Sequence, residues 1–242
     1  YAGYSINHYY GYRNFNQTRE TWVNNEYNKL IQSRNGTHLK HSNMVKVGSD
    51  FYLNKKNTIG FSVIGNLSNN NRTGDMIYLS YDSTQLIDTW QRISDNPSER
   101  NGIDFNLFYE KKFDKKDQKL YFNGNYSTGK ALSEGTFYEN SLDINGLILD
   151  SNYLQQYNTT PDINSKSNIQ VDYIHPLKKG KLEIGLKSTF RYTEQSFFQE
   201  TLDTALHVFK EDDSLTNTFN YGEQVHAAYF ILGHEFEKIK IQ

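Results

Sequence analysis

Apolar and polar side chains alternate with a period of two through most of this chain. From Leu182 to Tyr192 one parity reads Leu182, Ile184, Leu186, Ser188, Phe190 and Tyr192, and the other reads Glu183, Gly185, Lys187, Thr189 and Arg191. Ile59, Phe61, Val63, Gly65 and Leu67 alternate with Gly60, Ser62, Ile64 and Asn66 in the same way. So do Ile103, Phe105, Leu107 and Tyr109 with Asp104, Asn106 and Phe108, and Leu120, Phe122, Gly124 and Tyr126 with Tyr121, Asn123 and Asn125. Successive side chains on a strand point to opposite faces, so each stretch predicts a β-strand with one apolar and one wet face. The strands expected are 2–20, 39–53, 58–69, 102–113, 119–138, 166–175, 181–199 and 218–236, and a ninth begins at Ile239. Helical periodicity is weak. Leu86, Trp90 and Ile93 fit one face of a short helix within 84–95, and 147–157 accommodates a further turn or two.

The spacing of the turns discriminates between architectures. Short lysine-bearing turns recur at Lys56, Lys116, Lys178 and Lys238, a period of about 60 residues. Long polar connections, 24–37, 69–100, 132–164 and 201–216, fall between them. Immunoglobulin-like sandwiches turn every ~8–12 residues, and a propeller repeat of ~40–45 residues holds four strands, so neither accommodates two strands per period. Outer-membrane barrels do, because they combine short periplasmic turns with long extracellular loops. Rings gather beside the short turns: Phe51 and Tyr52, Phe113, Tyr121 and Phe122, Tyr173, and Phe236. That depth is where aromatic girdles meet lipid headgroups. The longest apolar run, 227–232, is far short of the ~20 residues of a spanning helix, so the chain would cross a membrane only with strands. The expected fold is all-β, an antiparallel up-and-down transmembrane barrel over 1–242 as a single region. Eight strands and a stub lead us to expect part of a larger barrel.

Composition agrees. Hydrophobic residues make up 36%, yet aromatics reach 15%, with 19 Tyr and 15 Phe, which argues against disorder. The absence of Cys removes disulfide scaffolds and thiolate metal sites, and a net charge of -2 gives no basic surface for nucleic acid.

Two segments carry a family resemblance. The segment from Val47 through Asn54-Lys55-Lys56-Asn57 to Ser62, and Tyr229-Phe230-Ile231-Leu232-Gly233-His234-Glu235-Phe236-Glu237-Lys238-Ile239-Lys240, resemble strand-turn-strand units of the outer-membrane β-barrel family of TonB-dependent receptors common in Bacteroidetes-type bacteria. The resemblance implies a 22-stranded barrel with a plug, energised through the TonB complex, in the bacterial cell outer membrane. This chain is expected to supply eight to nine strands of it without the plug. The implied partners are outer-membrane lipid and lipopolysaccharide, a nutrient ligand reaching the barrel from outside, and the TonB complex through the plug segment, with a surface lipoprotein as an optional addition.

On the barrel reading the polar parity lines an aqueous interior. Its lumen-facing candidates are Asn66, Asp104, Asn106, Asn123, Asn125, Asp172, Lys187 and Arg191. No catalytic residue, metal ligand or cofactor is expected. Gly124 to Ala131 resembles a phosphate-binding loop, but Ala131 stands where Ser or Thr would bind magnesium, and its flanks read as strand. His38 and His41 fall on opposite parities, and His226 and His234, eight residues apart, lie roughly 27 Å apart on a strand, so neither pair suits a metal. Glu211-Asp212-Asp213 is read as a solvated loop. Uptake of a bulky or scarce nutrient is the leading expectation. A soluble or surface-attached all-β module for glycan or protein competes with it, and requires the apolar parity to be buried against a second sheet. A passive or structural barrel shares every strand and differs in lacking a plug.

Overall fold

The computed structural model describes residues 1–23, 26–235 and 240–241. Eight long strands follow one another: β1 (Ala2–Val23), β2 (Glu26–Asn54), β3 (Asn57–Asp82), β4 (Gln85–Lys112), β5 (Lys119–Leu142), β6 (Ile148–Leu177), β7 (Gly180–Asp203) and, after the short β8 (Val208–Glu211), β9 (Asn217–Glu235). A two-residue β10 (Lys240–Ile241) pairs with β9. All pairings are antiparallel; successive strands pair along the main path except that β7 pairs with β9, while β8 pairs with β7 off that path. The result is one meandering sheet in which, among the described residues, β1 pairs with β2 alone, so the sheet is open. Each of the eight strands read from alternation lies within, or one residue beyond, one of these long strands. Phe236 and the turn expected at Lys238 lie outside the described residues.

Among the described residues no second layer covers this sheet. Among the described residues Leu142 is the one buried hydrophobic side chain, while Leu186, Phe230 and Leu67 are each more than half exposed. The accessible surface, 16576 Å², compares with roughly 11,000 Å² for a compact globular chain of 28.3 kDa. A soluble module would bury its apolar parity against another sheet, and that requirement is not met.

Register explains how the apolar face is assembled. Phe61 opposes Leu107, Leu107 opposes Gly124 and Gly124 opposes Ile169, so these residues form one row across four strands. The upper edge of the apolar band is Leu67 on β3, Ile103 on β4, Tyr126 on β5 and Ile169 on β6. Ile103, Tyr126 and Ile169 each lie two residues closer to the short turns than direct register from the preceding strand would place them, since Ile103 opposes Gly65, Thr128 opposes Ile103 and Ser167 opposes Tyr126. A level band on strands tilted to the membrane normal requires such a stagger. Phe51, Phe122 and Tyr173 lie on the apolar face beside the short turns, with Phe51 stacked on Phe61 at 6.1 Å. Tyr52 and Tyr121 belong to the opposite face, where Tyr121 stacks on Phe108 at 6.1 Å, so the ring cluster serves both sides of the sheet.

The long polar connections are corrected by the structure. Most of 24–37, 69–100 and 132–164 is strand, closed by tight turns such as Ser83-Thr84, where Ser83 takes a positive φ of 53°. At 29 and 30 residues, β2 and β6 run about 95–100 Å, while roughly 9–11 residues of a tilted strand cross a bilayer. The helices expected at 84–95 and 147–157 are strand as well. Trp90 stacks on its cross-strand partner Tyr78 at 4.6 Å and 4°, instead of sharing a helix face with Leu86 and Ile93. In this upper region both faces meet water, so no alternation marks the strands, and polar pairs hold the register: Gln91 Nε2 donates to Asp75 Oδ1 at 2.8 Å and Ser33 Oγ to Asn16 Oδ1 at 2.8 Å.

Turn carboxylates are charged fixtures. Lys56 pairs with Asp114, tying together the β2–β3 and β4–β5 turns and holding the Asp114 carboxyl below its ordinary range. Asp143 closes the β5–β6 turn. Its Oδ1 accepts the Leu147 amide at 2.7 Å and the Asn145 amide at 2.8 Å, and the Leu147 bond is the main cause of its lowered pKa. A carboxylate with a lowered folded pKa stabilises above its unfolded value, ~3.9, and loses that contribution as pH falls through the folded value. In an NMR titration the Leu147 and Asn145 amides should therefore shift with a midpoint below ~3.9, and a midpoint above it contradicts the assignment.

Candidate functional site

The pairing register carries all eight predicted polar residues to one face of the sheet. Asn66 opposes Gly102, two residues from Asp104 on β4; Asn106 opposes Asn125; Tyr121, two residues from Asn123, opposes Asp172; and Lys187 and Arg191 oppose Gln170 and Lys166. This is the face away from the Phe61–Leu107–Ile169 row. Its central row reads Asp104, Ser127, Lys166, Arg191, Glu223, which spaces charges of both signs across five strands. Arg191 Nη1 meets Glu223 Oε2 at 3.2 Å.

The eight divide into two groups. Asn66, Asp104 and Arg191 line a depression of about 390 Å³ together with Arg100, Asp162 and Lys166. The other five lie nearer the short turns. Asn123 Nδ2 donates to Asn106 Oδ1 at 3.0 Å, and Asn125 sits between Asn106 and Asn168 in an amide row that ends at Thr189, whose hydroxyl donates to Asn168 Oδ1 at 2.9 Å. Asp172 accepts from Tyr229 at 2.6 Å and from Gln170 at 2.8 Å. Lys187 shares a row with Asn123 and Gln170.

Sequence reasoning missed Arg100, Asp162 and Lys166. Lys166 was within reach, since it has the parity of Asp172 in its own strand. Arg100 and Asp162 fell in stretches read as loops. It also missed a histidine pair. His8 opposes His41, with Nδ1 atoms 2.9 Å apart, on the same face as the apolar rows. His38 and His41 are separated onto opposite faces, and His226 Nδ1 lies 2.9 Å from Ser188 Oγ. The His234 side chain lies outside the described residues. Residues 124–131 are continuous β5 strand, with no helix to receive a phosphate.

Beside the short turns, the described strands therefore have one bare apolar face and one polar, charged face. A family model described as Outer membrane protein beta-barrel family matches residues 111–242, more than half of the chain. The chain belongs to this outer membrane protein β-barrel family. No curated protein and no solved structure matches it. As an outer membrane β-barrel protein it resides in the bacterial outer membrane, and its exposed Leu, Ile and Phe rows are accounted for. They face hydrocarbon, which removes the need for a covering layer, while the ladder satisfies the backbone groups that lipid cannot. The polar upper strands of this barrel protein, beyond Leu67, Ile103 and Tyr126, stand clear of the hydrocarbon.

Proposed function

We propose that the polar face lines the water-filled interior of a receptor barrel that takes up a bulky or scarce nutrient, with energy supplied through the TonB complex. The observation that carries this reading is the joint placement of Asn66, Asp104, Asn106, Asn123, Asn125, Asp172, Lys187 and Arg191 on the face opposite the lipid rows. A structural wall has no need of a row that carries charges of both signs, with a depression at Asp104, Lys166 and Arg191. Unpaired backbone groups at an open edge cost several kcal/mol each in hydrocarbon, so further strands must close the sheet for it to enclose a lumen. The overhanging strands would meet ligand first, and the outward rows would rest on lipid and lipopolysaccharide.

The test is growth of cells in which the gene is deleted, restored, or restored without TonB. Carbon is supplied as polysaccharide or iron as a chelate, one limiting nutrient at a time. A nutrient on which growth fails equally in the deletion and TonB-less strains supports the reading. Restored growth that is indifferent to TonB contradicts it and marks a passive barrel.

A further inference from the structure

Four arginines from four consecutive strands converge on the polar face above the apolar band: Arg13 on β1, Arg34 on β2, Arg72 on β3 and Arg92 on β4. The register that gathers them also clears the space between them. Arg34 opposes Met76, and Met76 opposes Arg92; Arg72 opposes His38 and Asn96. The row between runs from Arg13 to Gly36, with Gly74 opposite Ser94 on the next pair of strands, so its middle carries almost no side chain. The neighbours leave little room for a Cβ at either glycine. A Cβ on Gly74 would lie 2.8 Å from both Arg34 Nη2 and Ser94 Oγ, and one on Gly36 would lie 2.3 Å from the Thr73 carbonyl oxygen. The Nε–Nη2 edge of the Arg34 guanidinium thus lies over Gly74. Above this floor is a depression of about 480 Å³, and a second of about 550 Å³ extends it toward β1.

The arginines differ in what they hold. Arg92 is engaged: Nη1 donates to Glu139 Oε1 at 2.8 Å, Nη2 to Gln156 Oε1 at 3.1 Å, and the guanidinium carbon sits 4.5 Å from the centre of the Phe137 ring. Arg13 is aimed by a relay of side chains. Asn70 Nδ2 donates to Ser98 Oγ at 3.2 Å, His38 Nε2 donates to Asn70 Oδ1, and the remaining His38 ring nitrogen, Nδ1, accepts from Arg13 Nη2 at 3.4 Å. Among the described residues Arg13, Arg34 and Arg72 have no carboxylate partner. Glu134 also lines the depression and accepts from the Tyr157 hydroxyl at 2.9 Å. Like charges held on neighbouring strands destabilise a sheet, so an arrangement that also holds one of them with a histidine relay and keeps a bare floor between them is built for an opposite charge.

We propose that Arg13, Arg34 and Arg72 form a binding site for the carboxylate or phosphate oxygens of an anionic ligand. The guanidinium fork matches those planar or tetrahedral oxygens with paired hydrogen bonds. Met76, Tyr78 and Phe137 border the same depression and give the ligand an apolar or ring-bearing body to lie against. The site rests on the reading that this face meets water and ligand, and it adds the ligand's charge to that reading.

The experiment is titration calorimetry on the complete protein purified from outer membranes in detergent. The probes are an oligogalacturonate, glucose 6-phosphate, inorganic phosphate and a neutral oligosaccharide of the same length as the first. The expected result is that one of the anions binds more tightly than the neutral sugar and weakens as salt is raised. Oligogalacturonate alone marks carboxylate as the source, and the two phosphates together mark phosphate. Arg13→Ala/Arg34→Ala/Arg72→Ala should lower that affinity about tenfold or more. Gly74→Val, which retains every charge but fills the floor, and Arg34→Lys, which keeps the charge and loses the fork, should also weaken it. Heat-shifted gel mobility establishes that each variant is folded, and the two single variants carry the test if the triple does not fold. No anion binding, equal binding of neutral sugar, or affinity unchanged in the variants overturns the site. Calorimetry in detergent needs no TonB, so an anion-blind protein whose polar face still admits water rejects the site alone.

Discussion

Leu107→Arg should destabilise the folded barrel by about 2–4 kcal/mol, while Asn106→Arg, one position away, should cost at most about 1 kcal/mol. The two residues share β4 and differ in the face they occupy. Leu107 lies between Phe61 and Gly124 in the middle of the apolar band, where a guanidinium has hydrocarbon around it. Asn106 lies in the amide row, and its loss removes the bond from Asn123. Depth adds a second contrast, because Leu67→Arg at the upper edge of the band should cost only ~0–1 kcal/mol. Urea titrations of protein refolded into lipid vesicles, followed by gel mobility, measure all three. Equal costs at positions 106 and 107 would mean that the two faces meet the same solvent.

Glu139→Ala should loosen the upper part of the β4–β5 pair while leaving the membrane-spanning part intact. Glu139 is buried and holds Arg92, which also bonds Gln156 and rests on Phe137. Removing one partner of a fully buried pair costs about 3–5 kcal/mol, and the partial exposure of Arg92 reduces this to roughly 2 kcal/mol. The polar overhang has no apolar face to hold its register, so a loss of that size should appear locally. Hydrogen exchange should show protection falling at 88–95 and 137–142 and persisting at 103–109. Uniform loss across β4 would contradict a locally held overhang.

How much of this was legible in the sequence depended on which solvents a strand meets. Where one face meets hydrocarbon, as at Ile59 to Leu67 or Leu182 to Tyr192, the two solvents write an alternation that gives strand, face and parity at once. Asp104, Asn106 and Lys187 could be assigned to their face from parity alone. Beyond Leu67 and Ile103 water lies on both sides and the alternation vanishes, so strands there read as loops, and Leu86, Trp90 and Ile93 suggested a helix through chance spacing. What holds those strands is cross-strand chemistry, such as Trp90 on Tyr78 or Gln91 with Asp75, which no single stretch displays. The arginine site was hidden for the same reason. Its three residues come from three strands, and two of them, Arg34 and Arg72, lay in the stretches 24–37 and 69–100. Register, once known, brings them together, as it does His8 and His41.

Single cysteines placed at positions 103 to 107 of β4 test the central claim most directly, and the chain has no native cysteine to interfere. In cells, a small water-soluble, membrane-impermeant thiol reagent should label Asp104→Cys and Asn106→Cys and spare Ile103→Cys, Phe105→Cys and Leu107→Cys. A lipid-dissolved quencher should report the reverse for fluorophores attached at the same sites. Labelling that ignores parity, or that favours 103, 105 and 107, would contradict the assignment of lipid to one face and water to the other.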